Sequence, residues 1–125
     1  MKENILEKQI AYKLSDVIMI YRNVIIENGI DNLLQDMDVC VYSIDFVEEA
    51  SSDTICYLDD YPDVDDNDHE IYTDFITENN LVMFYLGEQF EDVISNTLSQ
   101  KLDATIDEFI FALNYYRDND DFADV

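Results

Sequence analysis

Between Asn23 and Gln100 the chain carries twenty acidic residues and not one lysine or arginine. Ion pairs formed within that stretch cannot neutralise it. Most of its carboxylates must therefore face water, and apolar burial must drive folding. The cations stand at the two ends: Lys2, Lys8, Lys13 and Arg22 come before the stretch, and Lys101 and Arg117 after it, leaving a net charge of −24. Charge on that scale favours disorder, but 48% hydrophobic and 13% aromatic residues supply enough apolar surface for a core. With 125 residues the chain has the length of one ordinary domain, and residues 1–125 are read as a single acidic globular domain.

The same charge restricts partners. A strongly negative potential repels nucleic acid phosphates and anionic lipid and attracts cationic proteins, so neither direct nucleic acid binding nor membrane binding is expected. The plain alternative is that the acids only keep a small protein soluble. The opening M-K-E-N-I-L-E-K has early acids and no uninterrupted apolar core, so it is not read as a signal peptide. No stretch approaches a transmembrane span, and a cytoplasmic location is expected. Cys40 and Cys56 lack metal-ligand spacing and, in a reducing cytosol, serve as small buried apolar side chains.

Apolar residues at three- and four-residue steps, from Ile5 or Leu6 and Ile10 through Leu14, Val17, Ile18 and Tyr21 to Val24 and Ile25, predict an amphipathic helix over about residues 4–27. Asn28-Gly29 ends it, and Ile30, Leu33, Leu34 and Met37 suggest one more short helix. V-C-V-Y-S-I from Val39 to Ile44 and T-I-C-Y-L from Thr54 to Leu58 are β-branched and aromatic runs that predict an antiparallel pair. The polar link between them is too long for a tight hairpin. Ile71, Tyr72, Phe75 and Ile76 predict a helical turn, and Leu81–Leu86 reads equally as a buried strand or a buried helical turn. Gly87 precedes a helix over about 88–101. Thr105 with Glu108 forms a capping-box pattern that opens a last helix to about 117, with Ile106, Phe109, Ile110, Leu113 and Tyr116 on its inner face. The tail after Arg117 frays unless Phe122 docks. The fold class is α+β: predominantly helical, with a small antiparallel sheet.

The segment after Leu58 is the chemical candidate. Asp59, Asp60, Asp63, Asp65, Asp66, Asp68 and Glu70 crowd it around the only proline, Pro62, and it is read as an exposed loop. Asp63, Asp65 and Asn67 begin like a calcium-binding EF-hand loop. The match then fails, because Asp68 stands where the turn needs glycine and Asp74 where a bidentate glutamate is usual. His69, the only histidine, reads as an exposed spectator. Two glycines and six cations make a phosphate cradle or an activated nucleophile difficult to build, and paired carboxylates are too abundant to single out one acid-base pair. The chain is therefore read as a binding protein with no catalytic residue, metal or cofactor. Among nine tyrosines, Tyr57, Tyr61, Tyr115 and Tyr116 lie within or beside acidic segments. Tyr21 and Tyr116 point inward by periodicity, which leaves Tyr61 and Tyr115 as exposed anchors for a partner.

The stretch F-E-D-V-I-S-N-T-L-S-Q-K-L-D-A-T-I-D-E-F-I-F-A-L-N-Y-Y-R-D-N-D-D-F, from Phe90 to Phe122, resembles the end of a family of small acidic bacterial proteins. Its most distinctive piece is N-Y-Y-R-D-N-D-D-F. Such proteins resemble immunity proteins of polymorphic or contact-dependent toxins. The resemblance implies a basic toxin partner, a nuclease above all, since a nuclease needs a cationic surface that an acidic protein can cover. The rival reading is a nucleic-acid mimic encoded by a phage or plasmid, which occupies the DNA groove of a restriction or CRISPR enzyme and spaces its carboxylates like phosphates along an elongated face.

Twenty acids without a cation among them repel each other in the compact state, and salt screens that repulsion. The thermal midpoint of the free protein is therefore expected to rise from low to moderate salt. An unchanged midpoint would show that the acids are compensated inside the fold.

Overall fold

In a computed structural model the structure describes residues 6–28 and 39–125. A four-stranded antiparallel sheet has the order β1 (Tyr12–Lys13), β3 (Ile55–Asp59), β2 (Cys40–Ser43) and β6 (Val82–Tyr85). The two apolar runs pair as expected, with Val41 opposite Leu58 and Tyr42 opposite Tyr57. Alternation along each strand then divides the side chains between two faces. Val41, Cys56, Leu58 and Phe84 enter the main core, under helices α1 (Leu14–Asn28), α3 (Gly87–Gln100) and α4 (Ile106–Asn119). Cys40 and Tyr42 enter a second, smaller core with Ile76 and Leu81, and Tyr57, Tyr61, Tyr72, Phe75 and Met83 pack against it. The short helix α2 (Asp74–Glu78) covers that side, capped at its N-terminus by the Thr73 side chain. The fold is α+β, with four helices among the described residues and a small antiparallel sheet.

The first helix is shorter than its periodicity predicts. It begins at Leu14, not near residue 4, and Gln9 has a left-handed backbone with φ 65°. The competing interaction is the open edge of β3. Tyr12 and Lys13 pair with Cys56 and Ile55, and the Gln9 amide donates to the Leu58 carbonyl at 2.8 Å. Covering a strand edge satisfies backbone groups that a helix there would leave open to solvent. The first turn of α1 is served in exchange, since the Leu14 and Ser15 amides donate to the Thr54 and Ser52 carbonyls. The short helix suggested by Ile30, Leu33, Leu34 and Met37 lies outside the described residues.

Within Leu81–Leu86, Val82–Tyr85 forms strand β6. At α4 the capping box forms as read: the Glu108 amide donates to Thr105 Oγ1 at 3.2 Å, and Glu108 Oε1 accepts from the Thr105 amide at 2.8 Å. The long 44–53 link is fastened to α4, because the Asn114 amide group both donates to and accepts from the Ala50 backbone and Arg117 donates to the Val47 carbonyl at 2.6 Å. The tail is held too. Gln100 Nε2 donates to the Ala123 carbonyl, the Val125 amide donates to Gln100 Oε1, and the Phe122 ring lies 5.3 Å from that of Tyr116.

Leu14 and Phe109 are fully buried. Replacing either with alanine is expected to cost roughly 2–5 kcal/mol by opening a cavity between α1, α3 and α4. Urea unfolding would measure it, and a fully stable Phe109→Ala protein would contradict this packing.

Candidate functional site: an acidic hairpin and the cleft beside it

The acidic segment, read as an exposed loop, forms a short two-stranded hairpin. Asp63–Val64 (β4) pairs with Glu70–Ile71 (β5), with Asp63 opposite Ile71 and Val64 opposite Glu70. Two hydrogen bonds close the turn, one from the Asp68 amide to the Asp65 carbonyl and one from the Asp65 amide to the His69 carbonyl. Asp68 adopts φ 64°, the left-handed position that follows the turn in a short hairpin loop. An aspartate tolerates that conformation better than most residues with a side chain. Asp65 organises the rest: its Oδ1 accepts from the Asn67 amide at 2.8 Å and the His69 amide at 2.9 Å, and its Oδ2 lies 3.5 Å from His69 Nδ1. Val64 and Ile71, flanking a short polar run that contains Asn67 and Asp68, were the hairpin signal in the sequence.

The predicted site residues separate into three groups. Asp63, Asp66, Asp68 and Glu70 are exposed on the hairpin. Asp59, Asp60 and Asp65 serve the fold. Asp59 is only 1% exposed, which overturns its assignment to an exposed loop. Its Oδ1 accepts from the Asp60 amide at 2.8 Å, and its Oδ2 accepts from Thr73 Oγ1 at 2.6 Å and Gln9 Nε2 at 3.2 Å. Such a carboxylate can be buried because its lone pairs are used. Asp60 is exposed but carries the Lys8 ammonium, and its carbonyl accepts from the Tyr42 hydroxyl at 2.7 Å.

The tyrosines divide as well. Tyr61 is half-buried against the second core, and its hydroxyl accepts from the Glu88 amide at 2.9 Å, so it is a fastened wall and not a freely exposed anchor. Gly87 permits that approach: a Cβ there would lie 1.9 Å from the Val39 carbonyl oxygen and 2.8 Å from the Tyr61 hydroxyl. Tyr115 is exposed and its ring lies 6.0 Å from that of Phe111. It belongs to α4, in the helical layer on the other face of the sheet, and is not brought together with the hairpin. Tyr21 is fully buried as read, its ring edge-on to Phe90, and burial followed by the charge of Glu91 pushes its phenol well above the ordinary value.

Where the hairpin leaves the sheet, a cleft of about 400 Å³ opens between Asp60, Tyr61, Asp63, Ile71, Tyr72 and Thr73. Tyr72 is fixed there by a 3.0 Å hydrogen bond from its hydroxyl to Glu70 Oε1 and by edge-on contact with Tyr42. Burial and that hydrogen bond raise its phenol above the ordinary value. Sequence reading missed Ile71, Tyr72 and Thr73 as site residues because their apolar spacing suggests a helical turn. It also missed Lys8, which periodicity assigned to a helix. Both cysteines are buried, and burial pushes the Cys56 thiol up to about 12, which suits a core side chain and not a nucleophile. Among the described residues no group of side chains is arranged to hold a metal ion, and no helix is long and apolar enough to cross a membrane.

The profile of a protein family described as Domain of unknown function (DUF7716) matches residues 19–125, so the chain belongs to that family. No curated protein and no solved structure matches the chain.

Asp59 and Asp66 are expected to respond in opposite ways. Asp59→Ala strands three donors and should cost roughly 2–4 kcal/mol, whereas Asp66→Asn should stay within about 0.5 kcal/mol. Urea midpoints of the two variants check this, and equal losses would refute the division between structural and displayed acids.

Proposed function

We propose that the chain is an immunity-type inhibitor that binds a cationic protein toxin in the cytoplasm, a nuclease above all, and occludes the surface with which that toxin holds its substrate. The observation that carries this reading is the ordered hairpin itself. It displays Asp63, Asp66, Asp68 and Glu70 to solvent within a stretch of chain that contains no lysine or arginine. A hairpin with internal hydrogen bonds presents those charges with little ordering left to do on binding. Steering by complementary charge raises association toward the order of 10⁸ M⁻¹s⁻¹ at low salt, against roughly 10⁵ to 10⁶ for a neutral pair. Rapid capture is what neutralising a toxin demands.

Compactness favours this reading over a nucleic-acid mimic. Strands advance only about 3.3 Å per residue, so two-residue strands make a small epitope and not an elongated row of charges. Asp59, Asp60 and Asp65 hold this epitope in place, and Tyr61 walls one side of it.

The test is growth of cells that express the product of the gene immediately upstream, with and without the chain, followed by binding kinetics on the purified pair; an upstream gene whose product is not toxic would also count against the reading. Protection is expected. Changing Asp63, Asp66 and Asp68 together to Asn should slow association by about tenfold at low salt, with the difference shrinking as salt rises, because screening sets in beyond about 10 Å at 0.1 M. Loss of growth despite the chain would reject the immunity reading. Unchanged association of the triple variant would move the interface away from the hairpin.

A further inference from the structure

We propose that the cleft beside the hairpin is a receptor for one guanidinium group, an arginine side chain offered by the protein partner. The proposal rests on the binding reading above and assigns the chemistry of its central contact. Two carboxylates, Asp60 and Asp63, and two phenol rings, Tyr61 and Tyr72, line the cleft, with Ile71 and Thr73 completing the wall. At about 400 Å³ the open cleft has room for the end of an arginine side chain. Carboxylates and ring faces both attract cations, and a planar guanidinium uses both at once, stacking on a ring while its fork pairs with a carboxylate.

An independent observation points the same way. The chain's own Lys8 ammonium already sits on Asp60, with both side chains about half exposed at the cleft edge. A cation is thus accommodated at one lining carboxylate, and it is held by a pair exposed enough to exchange. Asp63 is exposed, and no ion pair to it is formed among the described residues. The walls are firm: the Tyr61 hydroxyl is fastened to the start of α3, Tyr72 to Glu70, and Thr73 to buried Asp59. The incoming group therefore meets rings and charges already in place, and the cleft provides the specificity that a merely acidic hairpin lacks.

The test is titration of the ¹⁵N-labelled full chain with the capped peptide Gly-Arg-Gly, with Gly-Lys-Gly and agmatine as comparison ligands, at constant ionic strength. Saturable shifts are expected at Asp60, Tyr61, Asp63, Ile71, Tyr72 and Thr73, with the arginine peptide bound more tightly than the lysine peptide. Asp63→Asn, an exposed change that leaves the fold intact, should weaken binding about threefold to tenfold, and Tyr72→Leu likewise. Lys8→Gln should tighten it, whereas Lys13→Gln, an equal change of charge at the other end of β3, should not. Non-saturating shifts spread over the acidic surface, indifference to Asp63→Asn, or equal effects of the two lysine variants would overturn the proposal. A preference for agmatine of more than about tenfold would also overturn it, by assigning the cleft to a free small cation. The two readings fail separately. A cleft that binds the peptide in a chain that protects no cell leaves the receptor standing without the immunity function. Toxin capture that ignores Asp63→Asn and Tyr72→Leu leaves immunity standing without the receptor.

Discussion

The buried Asp59 carboxylate is the fixed point of the candidate surface. It ends β3 and holds the next backbone amide, the Thr73 hydroxyl at the entrance of α2 and the Gln9 side chain of the segment that covers the sheet edge. Chain segments far apart in sequence meet on one charged group. Burying that charge is costly and is tolerable only while its donors stay in place. The hairpin lies between two of those attachments, Asp59 and Thr73, so its base cannot drift without breaking them. Position, then, and not composition alone, separates a displayed acid from a structural one.

Few cations are present, and most of those described are spent on holding chain segments together. Lys8 joins the N-terminal segment to Asp60, Lys13 pairs with Asp53, and Lys101 bonds to Glu108, whose carboxyl that hydrogen bond holds below its ordinary value. Arg117 donates to the Val47 carbonyl, and its guanidinium lies 4.8 Å from the Phe84 ring centroid and 5.9 Å from that of Phe46. None of these reaches Asp63, Asp66 or Asp68 among the described residues. The carboxylates of Asp63, Asp66 and Asp68 are thereby left without a lysine or arginine partner among the described residues.

Much of the helical layer was legible because its signals are local. Thr105 and Glu108 specify a capping box within one turn, and the spacing of Phe109, Ile110 and Leu113 marks a buried face whatever lies opposite. The paired strands were legible from composition. The segment before Leu14 was misread because its apolar spacing suits a helix, while the deciding force is the unpaired edge of a strand more than forty residues away. Asp59 was misread for a related reason. An aspartate among aspartates has no local feature that marks it for burial, and its three donors come from residues 9, 60 and 73. The cleft needed both facts, since Lys8 reaches it from the misread segment and Thr73 is turned toward Asp59.

The arrangement resolves a conflict inherent in so acidic a chain. Carboxylates brought together repel one another, and a flexible acidic loop would relieve that repulsion by spreading. Here the turn bonds around Asp65 and the β4–β5 pairing hold the hairpin against that spreading, while Asp59 and Tyr61 tie its base to the sheet and to α3. Repulsion is therefore retained in the free protein, and on the binding reading proposed above it would be released when a cationic surface docks. On that reading, repulsion among the displayed carboxylates would add to the difference in free energy between unbound and bound states. A partner with a matching positive field gains from that difference, and a neutral surface does not.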